Sequence, residues 1–315
     1  MRLERMMKVS MTTGGRRLLL ALALLSALLA TAAQASDVEK AARSTDAVRV
    51  DAVQAPAWLE RNGQRTPLAP GMRLHNRDLL ITGSAARVEL RLAEGSVLKL
   101  GDNTQLAINA LARRDAKTST AAFVVEHGVF RFTPPLAHAG TAQRRVNVRI
   151  ASITAALRQA EVWGSADGQR DLLCLLAGSI SAVHELDTPR DFAEPLSVYR
   201  APSGEAPLDV AFASSDELAG WLAQTELQEG SGVQRQGGRW QVELATLGDE
   251  ASALELYDRA RAAGFVVRIR PRAGEAAAWR YALRATQLPT RAEASALAAK
   301  MAGALALEAP RLLRR

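Results

Sequence analysis

The chain has 315 residues, room for two domains of ordinary size, with 48% hydrophobic residues and 4% aromatics. Its single cysteine, Cys174, excludes an internal disulfide and with it a small disulfide-stapled scaffold. The net charge of +7 is unevenly placed: residues 1–35 hold five Lys/Arg and one Glu, residues 239–315 hold thirteen Lys/Arg and eight Asp/Glu, and residues 36–238 come to about −2.

At the N-terminus, Arg16-Arg17 precede the apolar run Leu18–Ala30, and Ala33-Gln34-Ala35 follows. A basic start, an apolar stretch and an A-x-A site read as a signal peptide over residues 1–35, cut after Ala35. The run is short of the about 20 residues that a bilayer span needs, and an uncleaved N-terminal anchor is the alternative. An exported chain without disulfides suits a bacterial periplasm. There the basic C-terminal region points to an acidic surface or polymer, with no nucleic acid as partner. Residues 36–54 are polar with scattered apolar positions and stay unassigned.

Residues 55–185 change to period two. Val88, Leu90 and Leu92 share one face of Arg87–Leu92, Ala93–Ser96 is a turn, and Val97–Leu100 follows. Asn62-Gly63 marks a hairpin. Short runs continue at Phe123–Val125, Val129–Phe132, Val146–Ile150, Glu161–Trp163, Leu172–Leu176 and Ile180–Val183, punctuated by Gly128, Gly164, Gly168 and Gly178. Many short strands predict an all-β sandwich or roll. Cys174 lies in the apolar run Leu172–Leu176, which favours burial over reactivity.

The stretch Ile81–Leu100, with Thr82-Gly83, the alternating strand and the Glu94-Gly95-Ser96 turn, resembles the FecR-like domain. Glu126–Phe132 and Cys174–Ile180 are similar to that family's strand–Gly–strand pieces. Glu94 stands where Asp is usual, and Arg158–Val162 occupies the place of a usual Gly-Thr. The resemblance implies a periplasmic β-rich domain for sensing or protein contact, without catalysis. Members that control sigma factors carry a cytoplasmic segment and a membrane helix. The 17 residues before the apolar run are too few for such a segment, so a different role is expected.

Residues 186–238 read as a linker, with Pro189, Pro195, Pro202 and Pro207 early and Gly230, Gly232, Gly237 and Gly238 late. Within it Ser215–Gln224 predicts a short helix capped by Ser214 or Ser215, with Leu218, Trp221 and Leu222 on one face.

The last quarter repeats itself. Trp240–Thr246 reads as a strand and Asp249–Ala263 as a helix; Phe265–Arg270 and Trp279–Arg284 read as strands and Arg291–Leu305 as a second helix. This order predicts a small α+β module over residues 239–308, a sheet with both helices on one face, and a basic tail over residues 309–315. Leu254, Tyr257 and Ala260 are the expected apolar stripe of the first helix, and Thr290 with Glu293 a capping box for the second. Alternation puts Trp240, Val242 and Leu244, Phe265, Val267 and Ile269, and Tyr281, Leu283 and Ala285 inward. The open face then carries Gln241, Glu243, Arg268, Arg270, Arg280 and Arg284. Amides and guanidinium groups on a flat face suit sugar hydroxyls, N-acetyl groups and carboxylates. Trp240 and Trp279 are expected in the core, or at the rim as stacking surfaces.

Trp240–Leu247, and Tyr281–Leu288 followed by Arg291-Ala-Glu-Ala294, resemble the two signatures of the SPOR domain. Here Glu243 replaces Gln, Ala245 and Thr286 replace Gly, Gln287 replaces Pro, and Leu247 and Leu288 replace Phe. A closing strand is not evident in Ala306–Arg315. The resemblance implies binding of peptidoglycan glycan strands, which the family's picture places at the division septum.

His75, His127, His138 and His184 show no metal-ligand spacing, and no P-loop, dinucleotide or nucleophile-elbow fingerprint appears. The expectation is a non-catalytic periplasmic binding protein with no cofactor and no metal. Its last module would hold peptidoglycan glycan strands and its FecR-like domain an unidentified envelope protein. The alternative is an envelope-signalling component in which the FecR-like domain binds a receptor and the last module contacts protein.

Overall fold

Period-two patterning becomes strand from residue 48 onward, and the strands run longer than the sequence pattern proposes. The structure, a computed structural model, describes residues 48–113, 118–135, 143–274, 278–308 and 310–315. The expected signal peptide, residues 36–47 and His138 lie outside the described residues.

The first half of the β region holds β1 (Val48–Gln54), β2 (Ala57–Arg61), β3 (Gln64–Pro67), β4 (Arg73–Leu74), β5 (Leu79–Thr82), β6 (Arg87–Arg91), β7 (Val97–Leu100) and β8 (Gln105–Arg113). Its second half holds β9 (Thr118–Thr133), β10 (Gln143–Ile150), β11 (Ile153–Ala166), β12 (Arg170–Val183), β13 (Arg190–Phe192), β14 (Ser197–Pro202) and β15 (Ala211–Phe212). Helix α1 (Ser215–Thr225) and β16 (Val233–Arg235) follow. The β2–β3 hairpin turns on Asn62 and Gly63, both at positive φ, as its Asn-Gly signal requires. All these strands join one sheet, antiparallel except for the parallel β9–β10 pair.

The expected short strands merge. Phe123–Val125 and Val129–Phe132 are parts of β9, and Leu172–Leu176 and Ile180–Val183 are parts of β12. Gly128 (φ +93°) and Gly178 (φ +84°) bend these strands instead of ending them. A Cβ at Gly128 would stand 2.4 Å from the Thr104 Cα, so the bend also needs a missing side chain. Before its bend β9 pairs with β8 and β10; after it, with β7 and β11. The sheet thereby wraps around one core that includes Leu80, Leu90, Leu98, Leu106, Phe123, Phe130, Val148 and Ile150, all at most 1% exposed. Each such side chain contributes about 1.5–3 kcal/mol on burial.

Two boundaries differ from expectation. Residues 48–54 are β1, paired with β6. Residues 186–238 are no linker, because β13 and β14 pair with β12 and β15 pairs with β14. Prolines mislead there: Pro202 ends an edge-side strand and Pro189 precedes one, places where no ladder N–H is needed. The helix within this stretch does form, with Ser214 and Glu217 making a full capping box.

The C-terminal module contains β17 (Trp240–Leu247), α2 (Glu250–Ala262), β18 (Arg268–Ala273), β19 (Trp279–Leu288), α3 (Arg291–Leu305) and β20 (Arg311–Arg314). Its sheet order is β18-β19-β17-β20, a split β-α-β layout. The expected basic tail is therefore a closing strand, paired along Trp240–Glu243. Val242, Leu244, Leu283, Ala285 and Leu288 meet Ala253, Leu256, Ala260, Leu297 and Met301 in its core. Leu254, assigned to the α2 stripe, is 46% exposed, and Ala253 and Leu256 take its place. Trp240 packs partly on this core, while Trp279 is exposed.

The module is locked to the β domain. Strand β16 adds to the free edge of β1, with Ala52 opposite Arg235 and Gln54 opposite Val233. Thr290 caps α3 through its side chain, but the Glu293 carboxylate does not close the expected capping box. It accepts the backbone N–H groups of Gly230, Gly232 and Val233 at 2.7–2.8 Å while 6% exposed. Gln234 donates its amide to the Thr286 carbonyl, and the Trp58 indole donates to the Arg261 carbonyl. Gly264 lies so close to Trp58 that a Cβ would fall 2.7 Å from its ring. At this seam burial pushes the Lys300 ammonium below the usual lysine range, countered in part by Glu293; its Nζ donates to the Ala55 carbonyl.

Candidate functional site

Strand alternation directs one side of the C-terminal sheet to the helices and leaves the other open. Residues directly opposite in a ladder share a face, so the register reads out the open side. One row runs Arg311–Glu243–Arg284–Arg268 across β20, β17, β19 and β18. Arg270 stands opposite Ala282, and Arg272 opposite Arg280. Gln241 stands opposite Leu313, two positions from Glu243 on the same side.

Of the six residues the sequence singles out, Glu243 and Arg284 are in contact. Arg268, Arg270 and Arg280 stand at ladder positions on the same face, and so does Gln241, two positions from Glu243 on β17. Arg284 donates Nε and Nη2 to the Glu243 Oε2 at 2.9 and 2.7 Å. Arg272 approaches the same oxygen at 3.6 Å, and Thr246 donates its hydroxyl to Oε1. Glu243 is thus 8% exposed and already engaged. It orders a guanidinium and does not serve as a free acceptor for sugar hydroxyls.

Two members escape the sequence reading. Arg272 continues the alternation of Arg268 and Arg270, but Pro271 suggests a strand end; on the edge strand β18 a proline is tolerated. Arg311 belongs to β20, whose four residues are too short for a clear period. With them the face holds six arginines around one carboxylate. Arg268 opposite Arg284 and Arg272 opposite Arg280 put like charges at neighbouring ladder sites, an unfavourable pairing that binding of an anion would relieve. A cleft of about 260 Å³ beside Glu243, Thr246 and Arg311 opens on this module.

A second charged group lies at the β1–β16 seam. Arg91 and Arg235 both reach the Asp51 Oδ2, at 3.0 and 3.1 Å, and Glu89 lies 3.6 Å from each arginine. Burial raises Glu89 above the usual carboxylate range, helped by its hydrogen bond with Asp51. Burial acts on Asp51 the same way, but the Arg91 and Glu89 hydrogen bonds outweigh it and leave Asp51 below its usual value. Among the described residues no three His, Cys, Asp or Glu side chains gather as a metal site. Cys174 is buried, which pushes its thiol up to about 12. No helix among the described residues is long and apolar enough to cross a membrane.

Residues 78–181 match the model of the family described as FecR protein. This is the core of the β domain, from β5 to β12, and it bears out the FecR-like resemblance there. No curated protein matches the chain. Two crystal structures of a suspected anti-sigma factor from Parabacteroides distasonis ATCC 8503 show similarity at 11% identity and a TM-score of 0.37. One covers 75% of this chain and 99% of its own length, the other 64% and 96%. At that level the likeness supports no conclusion about this chain. The SPOR resemblance of residues 239–308 finds no support in these comparisons.

Proposed function

We propose that the chain is a non-catalytic sensing component of the bacterial envelope. Its FecR-like β domain binds a protein receptor, and its C-terminal module offers the arginine face to carboxylates on a second protein. The match of residues 78–181 to the FecR family carries this reading. The locked seam supports it too, since a module held by Glu293 and β16 moves with whatever the β domain binds. Export to the periplasm, with the mature chain starting at Ser36, belongs to the same proposal.

A second reading keeps the C-terminal module as a binder of peptidoglycan glycan strands. It is favoured by the flat open sheet with six arginines, which can pair with carboxylates along a glycan.

The two are separated in cells by placing a photoreactive residue at Arg270 or at exposed Phe212, with binding to purified sacculi measured in parallel. The first reading expects a periplasmic chain that gives protein adducts of discrete mass. Retention on amidase-treated sacculi without protein adducts would overturn it in favour of the glycan reading. A chain that stays in the cytoplasm defeats both.

A further inference from the structure

The arginines of the C-terminal sheet do not all lie on one side of it. Residues directly opposite in a ladder share a face. Arg311, opposite Glu243, therefore belongs to the open side, whereas Arg314, opposite Trp240, belongs to the side that carries the core residues Val242 and Leu244. At that end of β17 and β20 lies a cleft of about 350 Å³. It is lined by Arg235, Arg239, Trp240, Arg314, Pro289 and the turn between β16 and β17, and by no Asp or Glu among the described residues.

Backbone contacts tie its walls together. Gly238 donates its N–H to the Arg235 carbonyl at 3.1 Å and closes a turn with Gly237 at φ +89°. A Cβ at Gly238 would stand 2.5 Å from the Leu288 carbonyl carbon, so the turn rests directly on the backbone of β19. Arg315 donates its N–H to the Arg239 carbonyl at 2.9 Å, beyond the last ladder pair of β17 and β20. The Arg314 guanidinium carbon lies over the Trp240 ring, 5.9 Å from its centroid.

The charges at this cleft do not cancel. Arg235 meets Asp51 at 3.1 Å and Glu89 at 3.6 Å, and Arg91 meets the same two carboxyl groups, so two acids and two arginines offset one another there. Arg239 and Arg314 are exposed and make no ion pair among the described residues. Two positive charges are left over. A carboxylate brings one negative charge and suits one guanidinium fork. A phosphate group brings a charge of about −2 and three acceptor oxygens, enough for two forks at once.

We propose that this cleft is a binding site for a phosphate group, carried by a soluble phosphate or by a lipid headgroup, with Arg239 and Arg314 as its charge partners. The site lies on the other side of the sheet from the arginine face and does not depend on the function proposed above.

The test is a calorimetric titration of the full chain with inorganic phosphate, in mildly alkaline buffer free of other multivalent anions, with acetate as the carboxylate comparison. The expected result is saturable binding of phosphate that acetate does not match. Arg239→Ala and Arg314→Ala should each weaken it about tenfold, the effect of one charge-assisted hydrogen bond, and the double variant should abolish it. Should Arg314→Ala disturb the packing of Trp240, Arg239→Ala, at an exposed position, still decides the matter. Arg158→Ala, exposed on β11 of the β domain, removes the same charge and should leave binding unchanged. Flotation with phosphatidylcholine vesicles that contain phosphatidic acid, reversed by free phosphate, assigns the phosphate to a headgroup. Phosphate binding without flotation assigns it to a soluble molecule. Absence of saturable phosphate binding overturns the proposal. Acetate binding as tight as that of phosphate does so too, as does undiminished binding by a folded Arg239→Ala variant or an equal loss in Arg158→Ala.

Discussion

Arginine does different work in the two halves of this molecule. In the β domain guanidinium groups meet nearby carboxylates. Arg61 donates twice to Asp78, which is 1% exposed, and Arg131 joins Glu161 and Glu226. In the C-terminal sheet six arginines share a face with a single carboxylate, Glu243, and Arg284 and Arg272 reach it. The first arrangement fastens loops and strands to one another. The second leaves positive charge pointing away from the fold, at some cost to its own stability. Under the proposed function, a surface kept in that state serves a partner and not the fold.

The sharpest way to break this contrast is at the seam between the halves. Glu293→Ala strips an acceptor from three backbone N–H groups and should destabilise the chain by about 3 kcal/mol in urea unfolding. Gly264→Ala places a methyl group against Trp58 at a positive φ, and about 2 kcal/mol of lost stability is expected from the same measurement. If neither substitution matters, the module is not locked to the β domain.

The arginine face itself gives intermediate effects. Arg284→Ala leaves Glu243, among the described residues, with only the more distant Arg272 as a guanidinium partner, and should cost about 1–2 kcal/mol and weaken capture of an anionic partner. Glu243→Gln frees the Arg284 guanidinium and should strengthen that capture while lowering stability. Equal binding by both variants in a pull-down would place the contact elsewhere.

The smallest effects test local structure. Ser214→Ala removes the α1 cap and should cost about 1 kcal/mol in thermal unfolding. Asp51, whose folded pKa lies below the ordinary value of 3.8, contributes stability above that value and loses it as pH falls through the folded pKa. The β1–β16 amides should therefore stay protected from hydrogen exchange through mild acid and open below that range.

Much of the C-terminal module was legible because its helices and strands have distinct periods and its face assignment follows from alternation alone. Of the expected α2 stripe, Ala260 and Tyr257 pack on the core and Leu254 alone does not. Leu254 looks like core and Ala253 does not, although a close-packed helix favours the smaller residue. In the β domain the sequence pattern makes glycine punctuation; within β9 and β12 it instead lets a long strand change partners. Prolines at strand ends hid β13 and β14. Glu293 carried a capping-box signature, yet its carboxylate serves a loop some sixty positions earlier in the chain, a contact no local pattern encodes. The cleft beside Trp240 joins residues from Arg235 to Arg314, and nothing in their spacing announces it.

The pairing of Ala52 with Arg235 also sets an order of events when the chain folds. One flank of β1 can close early on β6, but along Ala52–Gln54 the other waits for residues 233–235, which arrive after the rest of the β domain has been made. Closing so long a loop carries an entropic cost, and contacts of high sequence separation slow folding. Until then the chain presents an open strand edge, the kind of surface that recruits stray strands. The slowest refolding phase is expected to follow this closure, and a chain cut short before residue 233 should aggregate even though every FecR-like strand is present.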